Sequence, residues 1–420
     1  MKTEDWILPT IDECCDVLDN KRIPINAEER ENRIGDIPYY GANGLQGYID
    51  DFIFDEPLIL IAEDGGMFNE FRTRPIAYRI FGKSWVNNHA HVLRAKNDFC
   101  QDAIFYALEH KDIQSFIVGG TRAKLNQREL RSITILLPKS KPEQSKIAEI
   151  LSTVDKAIEQ TEALIAKQQR IKTGLMQDLL TKGIDENGNL RSEKTHKFKD
   201  SPLGRIPEEW ECCQFGEFIE LLTDYHANGS YERLKEKVNL LSEPNYAVMI
   251  RTLNLEKNDF DDLIFITQEA YEFLKKSYVN PGDLLMNKIA NAGAIYLMPD
   301  LRCPVSTAMN LFLIRTDQRI LFQEFAYYFL CLHQPYVRSF AKGTTTKTIT
   351  KNAVKNLFIH KPNIKEQEVI IFLIRTQCHI ILTLCNNFKK LQSIKTALMQ
   401  DLLTGKVRVT PLLNNEVQNE

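Results

Sequence analysis

IKTGLMQDLLT, residues 171–181, returns as IKTALMQDLLT at residues 394–404, an interval of 223 residues over which only Gly174 and Ala397 differ. Chance does not supply a match of that length, and nothing recurs at the shorter periods of solenoid repeats. The chain therefore reads as a tandem of two large modules, and its 420 residues leave each one room for a real core. Extended backwards without a gap, PEQSKIAEILSTVDKAIEQTEALIAKQQ from Pro142 falls on KEQEVIIFLIRTQCHIILTLCNNFKKLQ from Lys365, so that Glu143-Gln144 meets Glu366-Gln367.

In the first copy Ile147, Leu151, Val154, Ile158, Ile165, Leu175 and Leu179 follow a mostly alternating four-three spacing, with Thr161 and Gln168 in the same stripe. The second copy places Ile370, Ile374, Ile381, Leu384, Phe388, Leu391, Leu398 and Leu402 there, interrupted by Gln377. Such a stripe suits a coiled-coil seam. Pro138, Pro142 and Pro362 stand at or outside the starts of the runs and none lies within them. Each run is predicted to be one unbroken helix about 50 Å long. Polar seam positions of one copy meet leucines of the other, so the helices are expected to pack on each other; the alternative is that each packs on its own domain. The second is apolar well beyond the seam, at Ile371, Phe372, Leu373, Ile380 and Leu382, which implies more than one partner.

The remaining sequence forms two blocks with a shared order of phrases. Each opens on a Trp phrase, EDW at Glu4 and EEW at Glu208, and continues through strand-like runs such as PLILIAEDG and HVLRA or DLLMNKI and LFLIRT. An apolar helical segment, a Gly-Thr turn (GGTRAKLN or KGTTTKTIT) and a last strand complete each block. The predicted organisation is a globular domain over 1–141, a helix over 142–182, a polar exposed linker over 183–208, a second domain over 209–364, a second helix over 365–405 and a tail over 406–420. The fold class is α+β: two similar domains separated by two long helices packed as an antiparallel coiled coil, with internal pseudo-twofold symmetry.

Net charge is −3, from 53 basic and 56 acidic residues, so no global field draws the chain to nucleic acid and any such binding is local. The start, MKTEDWILPTIDE, lacks the basic and apolar regions of a secretory signal. The run from Val369 is interrupted by Arg375 and His379 and is expected to be a buried helix rather than a membrane span. Nine cysteines without a CxxC pair read as reduced thiols, and a cytoplasmic location is expected.

The common catalytic patterns are missing. GKS at Gly82 lacks the upstream glycine of a phosphate loop, and there is no dinucleotide-binding glycine turn, GxSxG elbow or HExxH. Nor is there the Asn/Asp-Pro-Pro-aromatic tetrapeptide that holds a target amine for methyl transfer. DNK at Asp19 mimics a fragment of a nuclease metal site, at a length accident supplies. His89 and His91 would share one face of a strand, as ligands must, yet no Cys or carboxylate pair completes a site, and hydrogen bonding is expected rather than metal.

Recognition chemistry is what remains. PYYGANGLQGY sets Tyr39 and Tyr40 beside Asn43 and Gln46, among glycines that allow close backbone approach. Amide side chains pair with adenine edges, and Arg or Lys with guanine. Thr121, Arg122 and Lys124 in the first Gly-Thr turn, and Thr344, Thr345 and Lys347 in the second, suit phosphate contact. Read structurally, these are a Gly-rich hairpin and two plain loops.

DSPLGRIPEEW, the doubled LMQDLLT, the EQ before each long helix, GGTRAKLN, and the series YYGANGLQGY, LILIAEDGG, WVNNHAHVL together resemble the specificity subunits of type I restriction-modification enzymes, over essentially the whole chain. The resemblance implies a DNA-reading subunit without catalysis of its own. Two target-recognition domains would each read half of a split, asymmetric site in double-stranded DNA, and the paired helices would fix their separation, about 50 Å corresponding to about 15 base pairs. Two methyltransferase subunits using S-adenosylmethionine would dock on it, joined by motor-nuclease subunits, with no membrane involved. Asn43, Gln46, Asn87, Asn88 and His89 in the first block, and Asn287, Lys288, Thr307 and Asn310 in the second, are the base-contacting candidates. The second block has no counterpart of NNHAHVL, its nearest phrase being VSTAMNLFLIR from Val305. The competing reading is a coiled-coil scaffold with two protein-binding modules and no DNA specificity.

Overall fold

A computed structural model describes residues 5–119 and 123–417. The chain divides into two compact units, Met1–Leu164 with Leu384–Glu420, and Ile165–Thr383.

Besides the short antiparallel pair Trp6–Ile7 and Leu137–Pro138, the first unit has the strands Cys15–Val17 (β1), Ile37–Gly41 (β2), Gly44–Ile49 (β3), Phe54–Asp55 (β4), Leu58–Ala62 (β5), Ala77–Ile80 (β6), Lys83–Val86 (β7) and Ala90–Ala95 (β8). They form two sheets, β1-β8-β5-β6 and β3-β2-β7-β4, with β2 and β7 parallel. The sequence LILIA of β5 shows why the layers stack. Leu58 and Leu60 enter a core with Phe54, Ile80, Val86 and Val92, while Ile59 and Ile61 enter another with Ile104 and Leu108 of helix Gln101–Glu109 (α1). A strand buried on both faces needs a continuous apolar run, and each such side chain contributes about 1.5–3 kcal/mol on burial.

The long helix Lys141–Thr181 (α2) starts in this unit, with Pro142 in the first turn where its missing N–H breaks no helical bond. Gln144 ties the helix to the domain: its Oε1 accepts from the Cys100 N–H before α1 (2.8 Å) and its Nε2 donates to the Pro138 carbonyl (2.8 Å). The same core takes Leu402 and Val409 from the far end of the chain, packed with Ile147, Ala148 and Leu151. Arg408 donates through Nε and Nη2 to the buried Glu143 (2.7 and 2.8 Å), and Lys395 bridges Glu109 and Asp155 (2.7 and 2.8 Å).

The second unit repeats the plan with Ile219–Asp224 (β9), Ala247–Ile250 (β10), Phe265–Ile266 (β11), Tyr278–Val279 (β12), Leu284–Asn287 (β13), Ile295–Leu297 (β14), Val305–Thr307 (β15) and Leu311–Thr316 (β16). Its sheets run β9-β16-β13-β14 and β11-β10-β15-β12, with β10 and β15 parallel, so each strand stands where the strand eight numbers earlier stands in the first unit. Helix Tyr231–Lys237 (α3) takes the place of Ala27–Asn32 in the first unit, while Thr252–Lys257 and Gln268–Phe273 are additions; Gln323–Leu332 (α4) takes the place of α1, and Ile364–Leu402 (α5) that of α2. Gln367 accepts from the Phe322 N–H before α4 (2.9 Å) and donates to the Pro362 carbonyl (3.0 Å), as Gln144 does. Leu179 and Leu180 of α2 enter this core beside Ile370, Ile371 and Ile374. Glu366 accepts from the Ile184 N–H (2.9 Å), from Trp210 Nε1 (3.1 Å) and from Arg191.

Within the first unit Glu143 meets Arg408 and Asp155 meets Lys395; within the second Gln168 meets Gln377 (2.8 Å) and Ile184 meets Glu366. One number rises as the other falls, so the helix segments run antiparallel inside each unit. Ile147, Leu151, Ile370 and Ile374 are buried, and Val154, Ile158, Ile165, Leu175, Ile381, Leu384, Phe388, Leu391 and Leu398 are half-buried. Lys172 and Lys395 fill the gap positions of the stripe.

Each repeated LMQDLLT segment thus ends in a unit other than the one where its helix began. Gly183 and Gly405 then stop the helices with φ of 63° and 70°. A Cβ on Gly183 would lie 2.2 Å from Glu366 and 2.4 Å from Trp210, and one on Gly405 2.8 Å from Trp6, so both helix ends close onto a tryptophan.

Two expectations change. The polar segment 183–208 is not a free linker: Ile184 and Ile206 are buried in the second core, Arg191 is drawn in by Glu366, and Phe198–Ser201 pairs with Gly204–Pro207 as a hairpin. Few apolar residues suffice when a buried carboxylate supplies the anchor. α5 is buried along its stripe and at Ile371, while Phe372, Ile380 and Leu382 are exposed; by length and composition it could cross a membrane, and 22% of its most apolar stretch is buried.

Candidate nucleic-acid interface

In the first unit the ends of β2, β5 and β7 meet at one rim. Asn43 donates to the Gly65 carbonyl (3.1 Å), which fixes the β2–β3 turn against the loop after β5. Asn87 donates to Gln46 (3.3 Å) and accepts from the His89 N–H (2.8 Å). His89 Nδ1 lies 2.9 Å from Asp64, and Lys124 lies 3.3 Å from Glu63. Sequence-predicted residues far apart in the chain are thereby brought together, with Asn43, Gln46, Asn88 and Lys124 exposed and His89 and Tyr40 half-buried.

Some candidates lie elsewhere. Tyr39 is core, packed with Ile49 and Trp85 under the Arg30 guanidinium, because β2 alternates and this ring points inward. Asn87 is buried and orients its neighbours rather than facing solvent. Thr121 and Arg122 lie outside the described residues.

Beneath the rim is a charged node that the sequence concealed. Asp19, just after β1, accepts from the Val92 N–H (3.0 Å) and from Gln127 (3.0 Å), and lies 2.6 Å from His91 Nδ1. Burial works against its charge, but the His91 hydrogen bond and charge, the Val92 N–H and Arg22 outweigh it and hold its pKa below the ordinary value. Asp19, Glu63 and His91 stand close enough to share an ion. Cations already fill that role: Arg22 reaches Glu63 at 2.9 Å and Asp19 at 3.5 Å, and the other ring nitrogen of His91 is taken by the Leu125 carbonyl at 2.7 Å. His89 and His91 therefore serve different partners, one at the rim and one beneath it.

The second unit has the same frame with other side chains on it. The Asn87 N–H donates to the Tyr40 carbonyl (3.0 Å) as the Ala308 N–H does to that of Ile250 (2.9 Å), and the Glu63 N–H donates to the His89 carbonyl (2.8 Å) as the Lys288 N–H does to that of Asn310 (2.9 Å). Ala308-Met309-Asn310 thus occupies the backbone places of Asn87-Asn88-His89. The counterpart of NNHAHVL, missing at the level of side chains, is AMNLFLI. The node is rebuilt as well: Lys288, standing where Glu63 stands, pairs with Asp224 (2.8 Å) and lies 5.2 Å over the Phe312 ring, which replaces His91.

Asn287 and Thr307 are fully buried at strand ends, with Asn287 donating to Glu256 (3.0 Å), so neither faces a ligand. Lys288 is half-buried in its ion pair, while Asn310, Thr344, Thr345 and Lys347 are exposed. The Gly-Thr turns occupy matching places too, since Lys124 bridges to Val118 and Asp64 as Thr348 does to Lys342 and Ile289. Sequence reasoning missed Arg22, Glu63, Asp64 and Asp224; the carboxylates of AEDGG, next to a strand end, were the available signal. Exposed amides and cations beside carboxylates are the groups that hydrogen-bond base edges and phosphates.

The family described as type I restriction modification DNA specificity domain matches residues 3–168 and again 207–376. The type I restriction enzyme MjaVIII specificity subunit of Methanocaldococcus jannaschii is 24% identical over 441 aligned residues, covering 97% of this chain and 94% of its own. The crystal structure of the type I restriction-modification S subunit from M. genitalium superposes with a TM-score of 0.64 at 15% identity, over 96% of this chain and 97% of that one, and so shares the fold.

Proposed function

The chain belongs to the type I restriction-modification DNA specificity family, with two such domains, and from that premise we propose how the work is divided within it. The first unit's rim reads one half of a split DNA site and the second unit's rim reads the other. The observation that carries this is the retained backbone frame with exchanged side chains, Asn87-Asn88-His89 against Ala308-Met309-Asn310. Two copies of one reader that present different edges recognise different half-sites.

The chain itself is non-catalytic. Methylation of adenine is carried out by two methyltransferase subunits that hold S-adenosylmethionine, and motor-nuclease subunits cleave unmodified DNA. The long helices set the gap between half-sites. The apolar side chains that α5 leaves exposed off its stripe, Phe372, Ile380 and Leu382, support docking of a partner subunit, since exposed side chains of this size call for cover. Such an assembly works beside the chromosome, in the cytoplasm.

Single-molecule mapping of adenine methylation across the genome, with the chain present and deleted, tests this. The expected result is a split motif with a fixed gap that vanishes on deletion. Unchanged methylation, together with no salt-sensitive DNA affinity of the purified assembly, would leave the scaffold reading in its place.

A further inference from the structure

At the rim of the second unit Met309 is 49% exposed, Leu253 44%, and Tyr231 and Leu240 61% each. These four side chains line one open cavity of about 390 Å3, and Arg251 and Asn310 stand in the same lining. A cluster of exposed apolar groups beside hydrogen-bonding ones marks a binding surface. The first unit has an open rim cavity of its own, about 430 Å3, with Leu45 and Met67 exposed in it, but at the backbone places of Met309 and Arg251 it carries Asn88 and Gly41.

Most groups on base edges in the major groove of B-DNA are hydrogen-bond donors and acceptors; the apolar one is the 5-methyl of thymine. We propose that the cavity mouth reads a thymine methyl in the half-site of the second unit, with Met309 and Leu253 on the methyl and Asn310 on a neighbouring base edge. The occupant follows from continuity. Asn310 is part of the rim that the DNA-reading function requires, and Met309 adjoins it in the chain. Arg251 is held by Asp262 (3.1 Å) and Asn254 (3.2 Å), which positions a cation at the same mouth for the phosphate backbone. The proposal rests on the function proposed above and adds to it an asymmetry: at one shared backbone place the second half-site meets Met309 and the first meets Asn88.

The test replaces thymine by uracil, which removes the methyl and leaves every hydrogen bond of the pair. Once the methylated motif is known, the full chain with its methyltransferase partners is titrated with duplexes carrying single thymine-to-uracil changes in either half. Loss of one buried methyl corresponds to about a fourfold weakening. The expected result is that loss at one or more positions in the second unit's half and none in the first unit's, with a Met309→Asn complex that binds thymine and uracil duplexes alike. Specific binding that is indifferent to uracil throughout, or a thymine/uracil preference that survives in Met309→Asn, overturns the inference and leaves the DNA-reading function standing. A complex that prefers no duplex over a scrambled one overturns both. Because Met309 is exposed, its replacement reports on contact rather than on folding.

Discussion

Two glutamates placed identically in the repeat do unequal work. Glu366 is buried among Arg191, Trp210 and the Ile184 N–H, whereas the Arg408 that pairs with Glu143 keeps 30% of its side chain in solvent. Removing one partner of a buried pair strands the other, so Glu366→Gln is expected to cost about 3–5 kcal/mol and Glu143→Gln less, as read by thermal or denaturant unfolding. His360 gives a second prediction at this scale. Burial, and the like charge of His333 6.0 Å away, push its pKa down from 6.5 to about 4. The unfolded chain therefore takes up this proton first, and stability should be full above pH 6.5, fall as pH drops through the window, and level off near pH 4. Unfolding midpoints measured across that range should slope less steeply in His360→Gln.

At the scale of elements, the single difference between the two copies of the repeat is itself a prediction. Gly174 sits on an exposed helix face where an added Cβ would meet nothing within 4 Å. Gly174→Ala, which makes the copies identical, should raise stability by about 0.5–1 kcal/mol. Gly183→Ala should do the opposite by more than about 1 kcal/mol, since φ is 63° and Trp210 and Glu366 block the methyl; the two variants side by side in one denaturant series decide this.

The helices were the legible part of the fold, because a stripe kept over ten turns is a local signal that repeats itself. Strands such as LILIA and LFLIRT were legible for a similar reason, their apolar runs being longer than a one-sided strand needs. The linker was misread because Arg191 and Glu366 lie 175 positions apart, and a long-range ion pair leaves no periodicity. The rim was half legible. Asn43, Gln46 and His89 stand in Gly-rich or polar phrases, but burial of Tyr39, Asn287 and Thr307 depends on which face of a strand they occupy, and two-residue boundaries decide that. The match of Asn87-Asn88-His89 to Ala308-Met309-Asn310 was hidden because backbone N–H to carbonyl bonds, not side chains, define it.

For the whole molecule, a net charge of −3 means that affinity for DNA must come from a few local cations. Replacing the exposed Lys347 by Ala should weaken binding to all duplexes alike and flatten the plot of log affinity against log salt by about one unit of slope. Exchanging residues 209–364 for another recognition domain should change one half of the methylated motif and leave the other; a change in both halves would show that the two readers are not independent.

The crossing of the chain between units also bears on how the protein is made. The second unit is assembled from a continuous stretch, Ile165–Thr383, while the first needs Leu402, Gly405 and Arg408 to close onto Ile147, Trp6 and Glu143. At about 5–20 residues per second of synthesis, the N-terminal domain waits on the ribosome for tens of seconds after its last strand has emerged. During that wait the apolar face around Ile147 and Leu151 lacks its cover. The domain translated first is then the last to be completed, and a nascent chain released before the second helix is finished carries one closed reader and one open, chaperone-visible core.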